Sequence, residues 1–477
     1  MPDPYGFRTV MLPSLGFFGG TWADFLELPV ERVIHGFTLR IDASRKEFLN
    51  LRGVLAIRDG RPLPLGAADY TLEQSSDRPA SNLPPQGITT LTGIHTLREN
   101  RPWWRVTFDE PQHVDTIDVF NRRDRLGVRS RCLSVEVVEA DGTTSTIYAA
   151  ASRAYFSETL NVIEKYAGGR RADARVKTGA EARKWRTDTV RALNDSLRRG
   201  APLPSTAEWL RIASLIPSSS NTRLEGEDWF LLAYGLCAQL KRDPRSRSGI
   251  YSYSGVLDSR DALSRLEAEF DDVRKALDGE PLQLLKHGVS PLGALRRALP
   301  DIQKLYPILR EHLAESGLTP LLAYGTLLGA RRNGKVMDHD DDFDLIVVLD
   351  APSYEAFDHR RSDLLDQLRG KGWKIWENGN NKNSHLGRND LEGHLDLVCA
   401  WRHDDVVETH MERMAWRGVP ARYFRWTASI ELEGQMYPAP GETDEFLQDR
   451  YGPGWKVPDK FHDWRWPLTD DVPVATN

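Results

Sequence analysis

The stretch Gly325 to Leu349, GTLLGARRNGKVMDHDDDFDLIVVL, decides how the rest of the chain is read. A turn of small residues is followed within twenty positions by Asp340, Asp341, Asp342 and Asp344, and then by the apolar run Leu345 to Leu349. That run predicts a buried strand. Side chains alternate along a strand, so Asp340, Asp342 and Asp344 are expected on one side, with Asp341 and Phe343 on the other. Like charges so arranged repel unless a cation neutralises them. A divalent ion with oxygen preference, Mg²⁺ first and Mn²⁺ as a substitute, does so while recruiting phosphates.

The flanking sequence adds parts to this site. Gly325-Thr326 follows the short apolar segment LLAYG, and Gly329-Ala330 keeps bulk away from the backbone, so main-chain N–H groups are expected near a phosphate. Arg331 and Arg332 follow, and Arg332 is expected to bond a second phosphate through its guanidinium. Asp396, in HLDLV, is another carboxylate inside an apolar strand pattern. If its strand lies beside the acidic one, Asp342, Asp344 and Asp396 form a metal set.

At 477 residues the chain is too long for one core, and several domains are expected. With 63 basic and 69 acidic residues and a net charge of −6, it lacks the basic excess of a general nucleic-acid binder. Cys132, Cys237 and Cys399 are far apart and fit neither a disulfide framework nor a zinc ligand spacing. Neither a signal peptide nor a run of ~20 apolar residues is found, so a cytoplasmic protein is expected, with a peripheral contact to a membrane holding its acceptor left open.

Three regions are predicted. Residues 1–150 alternate in short runs such as GFTLRID, WWRVTFDE and VDTIDVFN, with a hairpin at Asp141-Gly142, and suggest an antiparallel β-sandwich. Residues 151–299 read as helical. Trp185, Thr189, Leu193 and Leu197 share a helix face, and Ser205 with Glu208 forms a capping-box pattern ahead of Trp209. Leu263 to Leu277 repeat at helical spacing up to Gly279, SRSGIYSYSG between these helices is expected as a loop, and Trp185, Trp209 and Trp229 are packing residues. Residues 300–477 alternate helix and strand, as in a mixed α/β domain. A helix is expected from Asp301 to Ser316, strands at Trp373 to Trp376 and His394 to Cys399, and a polar loop over Asn378 to Asn389.

Tyr324 to Arg332 and DDDFD at 340–344, with HLDLV and YPAPGETDEFLQDRYGPGWKVP downstream, resemble the LicD/fukutin family of phosphotransferases, within the nucleotidyltransferase (polymerase β-like) superfamily, over about residues 300 to 460. The family's Ile-Pro-Trp before the acidic run is replaced here by Met337, Asp338 and His339. The resemblance implies transfer of a phospho-alcohol (phosphocholine, ribitol phosphate or glycerol phosphate) from a CDP-linked donor to a hydroxyl of a glycan or lipid-linked glycan. It also implies a catalytic set of Asp340, Asp342, Asp344 and Asp396, with Asp340 to orient or deprotonate the acceptor hydroxyl, and Gly325, Thr326, Gly329 and Arg332 at the substrate. Two alternatives are a general nucleotidyltransferase releasing pyrophosphate from an NTP and a glycan-binding protein with an inactive transferase domain.

GIHTLRENRPWWRVTFDE and the segment after it resemble a discoidin (F5/8 type C) module, a galactose-binding-like jelly roll also used by carbohydrate-binding modules. His95-Thr96, Trp103-Trp104 and Asn121 to Asp124 carry this likeness. Trp103 and Trp104 themselves are better read as sandwich core than as a sugar platform.

Overall fold

The computed structural model describes residues 4–19, 25–76, 87–168, 176–377, 383–412 and 415–470. The chain divides into two compact units, Met1–Ser290 and Pro291–Asn477. Strand-rich and helical regions, separated at residue 150 in the sequence, thus fall in one unit.

Two long strands, Phe25–Ile41 and Trp103–Phe120, pair antiparallel along most of their length and organise the first unit. Five further strands extend them into a seven-stranded sheet. Register shifts between Pro29 and Arg32 and between Ile34 and Gly36 mark bulges, which bend long strands and increase their twist. Phe37, Trp104 and Phe108 are buried in its core, whereas Trp103 is half-buried with the Arg105 guanidinium 5.0 Å from its ring. Asn121 is internal, its amide donating to the Phe18 and Gly127 carbonyls and to Ser130 Oγ, and Arg122 pairs with Asp124. These polar groups brace the unit.

The helical part follows the predicted periodicity, with helices at Gly179–Arg198, Thr206–Ile212 and Asp228–Arg242. Ser205 Oγ accepts from Glu208 N at 3.2 Å, and the Glu208 carboxylate accepts from Ser205 N at 2.8 Å, closing the capping box. Trp209 and Trp229 are buried, and Trp185 is half-buried. Leu263 to Leu277 form two helices, Arg260–Ala268 and Phe270–Leu277, rather than one. The stretch expected as a loop forms 3₁₀ turns over Pro244–Tyr253, with Ile250 and Tyr253 wholly buried. Its small polar residues hid the two side chains that pin it.

The second unit is built on a mixed sheet. Its strands run in the order Leu321–Leu322, Asp344–Asp350, Leu395–His403, Asn383–Gly387, Lys374–Glu377, with Val406–His410 and Trp416–Pro420 continuing from the third. Asp344–Asp350 and Leu395–His403 are parallel, and all other pairs are antiparallel. A parallel pair needs a crossover, which here includes the Tyr354–Gly370 helix. Leu345, Ile346 and Val347 are all buried, as a strand covered on both faces requires.

Two sequence expectations are corrected in this unit. The first helix spans Ala294–Ala314 rather than beginning at Asp301, and it carries Pro300 and Pro307 internally. Proline normally marks a helix boundary, but burial of Leu295, Leu299, Ile302, Leu305 and Leu309 along one face outweighs the missing N–H groups. The polar segment after Trp376 is not a loop throughout, because Asn383–Gly387 forms a strand between two others. Residues 378–382 of that segment lie outside the described residues.

Candidate active site

The glycine-bearing segment after Leu322 is a helix, Tyr324–Asn333, and not the loop its glycines suggested. Tyr324 enters it with φ of 42°, in the left-handed region that costs a bulky residue free energy. A buried anchor holds this conformation: the Tyr324 hydroxyl lies 2.8 Å from Thr409 Oγ1, and its ring packs on Phe446 at 6.2 Å. The residue after this strained entry, Gly325, directs its N–H to the acidic strand.

Asp344 is fixed by that helix. Gly325 N donates to Asp344 Oδ2 at 3.1 Å, Asp344 N donates to Thr326 Oγ1 at 2.9 Å, and Ala323 N donates to the Asp344 carbonyl at 3.1 Å. Gly325 therefore holds the Asp344 carboxylate, and Thr326 holds the Asp344 backbone, in this structure. A Cβ at Gly325 would collide with Asp340 Oδ2, so only glycine lets the Asp340 side chain lie against the backbone there. At Gly329 a Cβ would run into the Lys335 carbonyl, which explains its place by packing of the turn after the helix.

Asp396 lies directly opposite Asp344 in the parallel register, and Asp396 N donates to the Phe343 carbonyl at 2.9 Å. Phe343 is wholly buried, while Asp342 and Asp344 are partly exposed. Asp342, Asp344 and Asp396 each offer one carboxylate oxygen within 4.8 Å of the other two. Asp340 is buried with its carboxylate close against Gly325, and it is not one of this triplet. The regular strand begins only at Asp344, so the facing of the earlier aspartates follows from the turn before it rather than from strand alternation.

Asp396 is almost fully buried, and its two oxygens are separately engaged. Oδ1 lies 2.6 Å from His385 Nδ1, and Oδ2 accepts from Asn383 Nδ2 at 3.1 Å. A carboxylate only accepts, which assigns the shared proton to His385 Nδ1. This bond raises the His385 pKa above the ordinary histidine value. His394 Nε2 stands 3.4 Å from the same Asp396 oxygen.

Asn383, His385 and His394 were not recognised in the sequence as site residues. Their only local signal is the alternation of Asn383 and His385, two positions apart, within a polar run. Pairing Asn383–Gly387 with Leu395–His403 brings them to Asp396, a contact that no spacing in the chain predicts.

Arg332 is engaged by the C-terminal segment. Its guanidinium donates to the Trp455 carbonyl and, at 3.1 Å, to the Val457 carbonyl, while Arg331 pairs with Asp444 at 2.6 Å. In this structure the Arg332 guanidinium tethers the C-terminal segment. Asp444, Trp455 and Val457, on either side of the Tyr451-Gly452-Pro453 pattern, thus partner the Tyr324–Asn333 helix.

Met337, Asp338 and His339 form a turn before the acidic run, with Asp338 paired to Arg296 at 2.7 Å on the surface. Among the described residues, no helix is long and apolar enough to cross a membrane.

Residues 317–442 match the family model for LicD/FKTN/FKRP, nucleotidyltransferase domain. That match supports a LicD-like domain in this part of the chain, and the family suggests a transferase, a phosphotransferase acting in glycan modification. No curated protein matches the chain. Among solved structures, it is similar to the lincosamide antibiotic adenylyltransferase LnuA in its lincomycin-bound form, at 15% identity over 30% of this chain and 83% of that one, with a TM-score of 0.22.

Proposed function

We propose that the second unit transfers a phospho-alcohol from a CDP-linked donor to a hydroxyl of a glycan or lipid-linked glycan. The observation that carries this reading is the convergence of Asp342, Asp344 and Asp396 within 4.8 Å, at the paired starts of two parallel strands. The donor set is all carboxylate oxygen, which suits Mg²⁺, with Mn²⁺ as a substitute. A cation held there supplies neutralisation of the donor's phosphates and of the charge on a departing CMP.

The chain's own groups have separable tasks. Gly325 and Thr326 orient Asp344, and Asn383 and His385 orient Asp396, so both carboxylates are preorganised. Asp340, buried against the Gly325 that also orients Asp344, is assigned to accept the proton of the acceptor hydroxyl. The N-terminal sheet is assigned a glycan-holding role of the discoidin kind, which raises the effective concentration of acceptor hydroxyls on the same chain. The reaction is placed in the cytoplasm, at a membrane where lipid-linked acceptors are built, and does not involve nucleic acid.

A donor screen tests this reading. The protein is incubated with Mg²⁺, glycan acceptors and, separately, CDP-choline, CDP-ribitol, CDP-glycerol and NTPs, and the released product is identified. Consumption of one CDP-alcohol with CMP release is expected. Pyrophosphate release from an NTP instead, or no turnover of any CDP-alcohol, overturns the proposal.

A further inference from the structure

The carboxylate triplet does not exhaust the metal-binding chemistry of this sheet. Three cross-strand pairs set Trp376 opposite His385, His385 opposite Asp396, and Asp396 opposite Asp344. One row across four strands therefore grades from carboxylate to imidazole to indole. Beside this row His394 joins His385 and Asp396, and each of the three offers one ligand atom, all within 4.8 Å of one another. The Trp376 ring is stacked on His385 at 5.8 Å and 20°, and tilted against His394 at 5.5 Å. The two imidazoles are edge-on to each other at 5.4 Å.

We infer a second cation site at His385, His394 and Asp396, which shares Asp396 with the triplet and takes a borderline transition metal of the Zn²⁺ or Co²⁺ class. Two imidazole nitrogens and one carboxylate oxygen form a donor set that such ions prefer and that Mg²⁺, which favours oxygen, binds poorly. Three protein ligands leave room for water or a substrate oxygen. The indole of Trp376 fixes the planes of both rings, as groups surrounding metal-ligating histidines commonly do. Without metal, the proton on His385 Nδ1 joins this histidine to Asp396 Oδ1, so a cation entering the site replaces or flanks a bond already present. The site stands on its own geometry and does not depend on which donor the enzyme uses.

Co²⁺ is the probe, because its visible absorption reports nitrogen ligation. Full-length protein stripped with chelator is titrated with Co²⁺ in millimolar Mg²⁺, with absorbance and elemental analysis as readouts. About one Co²⁺ per chain is expected in the wild type, and also in Asp342→Asn/Asp344→Asn. His394→Gln should weaken it at least about tenfold, and His385→Gln/His394→Gln should abolish it. Circular dichroism checks folding, and should the double variant unfold, His394→Gln decides alone. No Co²⁺ uptake by the wild type above Mg²⁺, or uptake unchanged in His394→Gln, overturns the inference. Failure of the donor screen leaves this readout intact.

Discussion

Asp344 and Asp396, fifty-two positions apart, face each other across a parallel strand pair, and each is held by a different neighbour. Asp344 is gripped by the helix that begins at Tyr324, through Gly325 N and Thr326 Oγ1. Asp396 is gripped by the strand Asn383–Gly387, through Asn383 and His385. The site is therefore the meeting point of two independent supports, and each can be loosened separately.

Removing one carboxylate charge should abolish cation-dependent turnover without unfolding the chain. Asp344→Asn or Asp396→Asn should lower transfer at least ~100-fold, beyond what loss of a supporting residue usually costs a metal site. Steady-state turnover with the donor found in the screen, beside a circular dichroism spectrum, checks this. Full activity in either variant would remove the metal reading.

Thr326 should act through Asp344 alone. Thr326→Val leaves the Asp344 N–H without its acceptor and should destabilise the unit by about 1–3 kcal/mol, the cost of an unsatisfied buried donor. Thr326→Ser keeps the oxygen and should recover most of the stability and turnover. Urea unfolding of the two variants separates the hydroxyl from the methyl group.

Gly325→Ala puts a methyl group where Asp340 Oδ2 now lies. Overpacking of this kind costs about 1–3 kcal/mol, and displacement of Asp340 should reduce kcat more than it raises KM for the donor. An alanine variant with unchanged stability and kinetics would show that the close approach of Asp340 is dispensable.

Arg332 should prove a structural residue. Arg332→Ala removes charge-assisted bonds to the Trp455 and Val457 carbonyls and should lower stability by about 1.5–3 kcal/mol, with the C-terminal segment opening first to proteolysis. Limited proteolysis and thermal melting read this. A raised donor KM at wild-type stability would return Arg332 to the phosphate.

Acid should loosen the helical region through Glu208. Its pKa is lowered to about 2, chiefly by the bond from Lys165 and then by the Ser205 N–H. A depressed carboxylate contributes stability that is present above its unfolded value near 4.5 and is lost as pH falls toward about 2. Glu208 is half-buried but its partner Lys165 is exposed, so the effect is small and weaker in salt. Glu208→Gln should flatten the stability profile in that window, as read by chemical denaturation from pH 5 to pH 2.

Much of the second unit was legible because its signals are local. The run Leu345 to Leu349 is a buried strand in any context, and the Asp residues at its head mark a charged site wherever they lie. The capping box at Ser205 and Glu208 was equally plain, since both partners lie within one helical turn. Local patterns misled where tertiary packing opposed them. Two glycines suggested a loop at 325–329 that is a helix, because each glycine serves a close approach rather than a flexible turn. Pro300 suggested a helix boundary, but a continuous buried face carries the helix past it.

What the sequence determined by itself was the inventory: an acidic strand head, a second Asp within an apolar strand pattern, and a C-terminal pattern that resembles the family's. What only the tertiary structure decided was which groups meet. Strand register places Asp396 opposite Asp344, brings His385 and Asn383 to the same carboxylate, and turns Arg332 toward the C-terminal segment. Periodicity along a chain fixes the face on which a side chain lies. The partner across a sheet depends on which strands pair and in what register, and that is set by burial of the whole core at once.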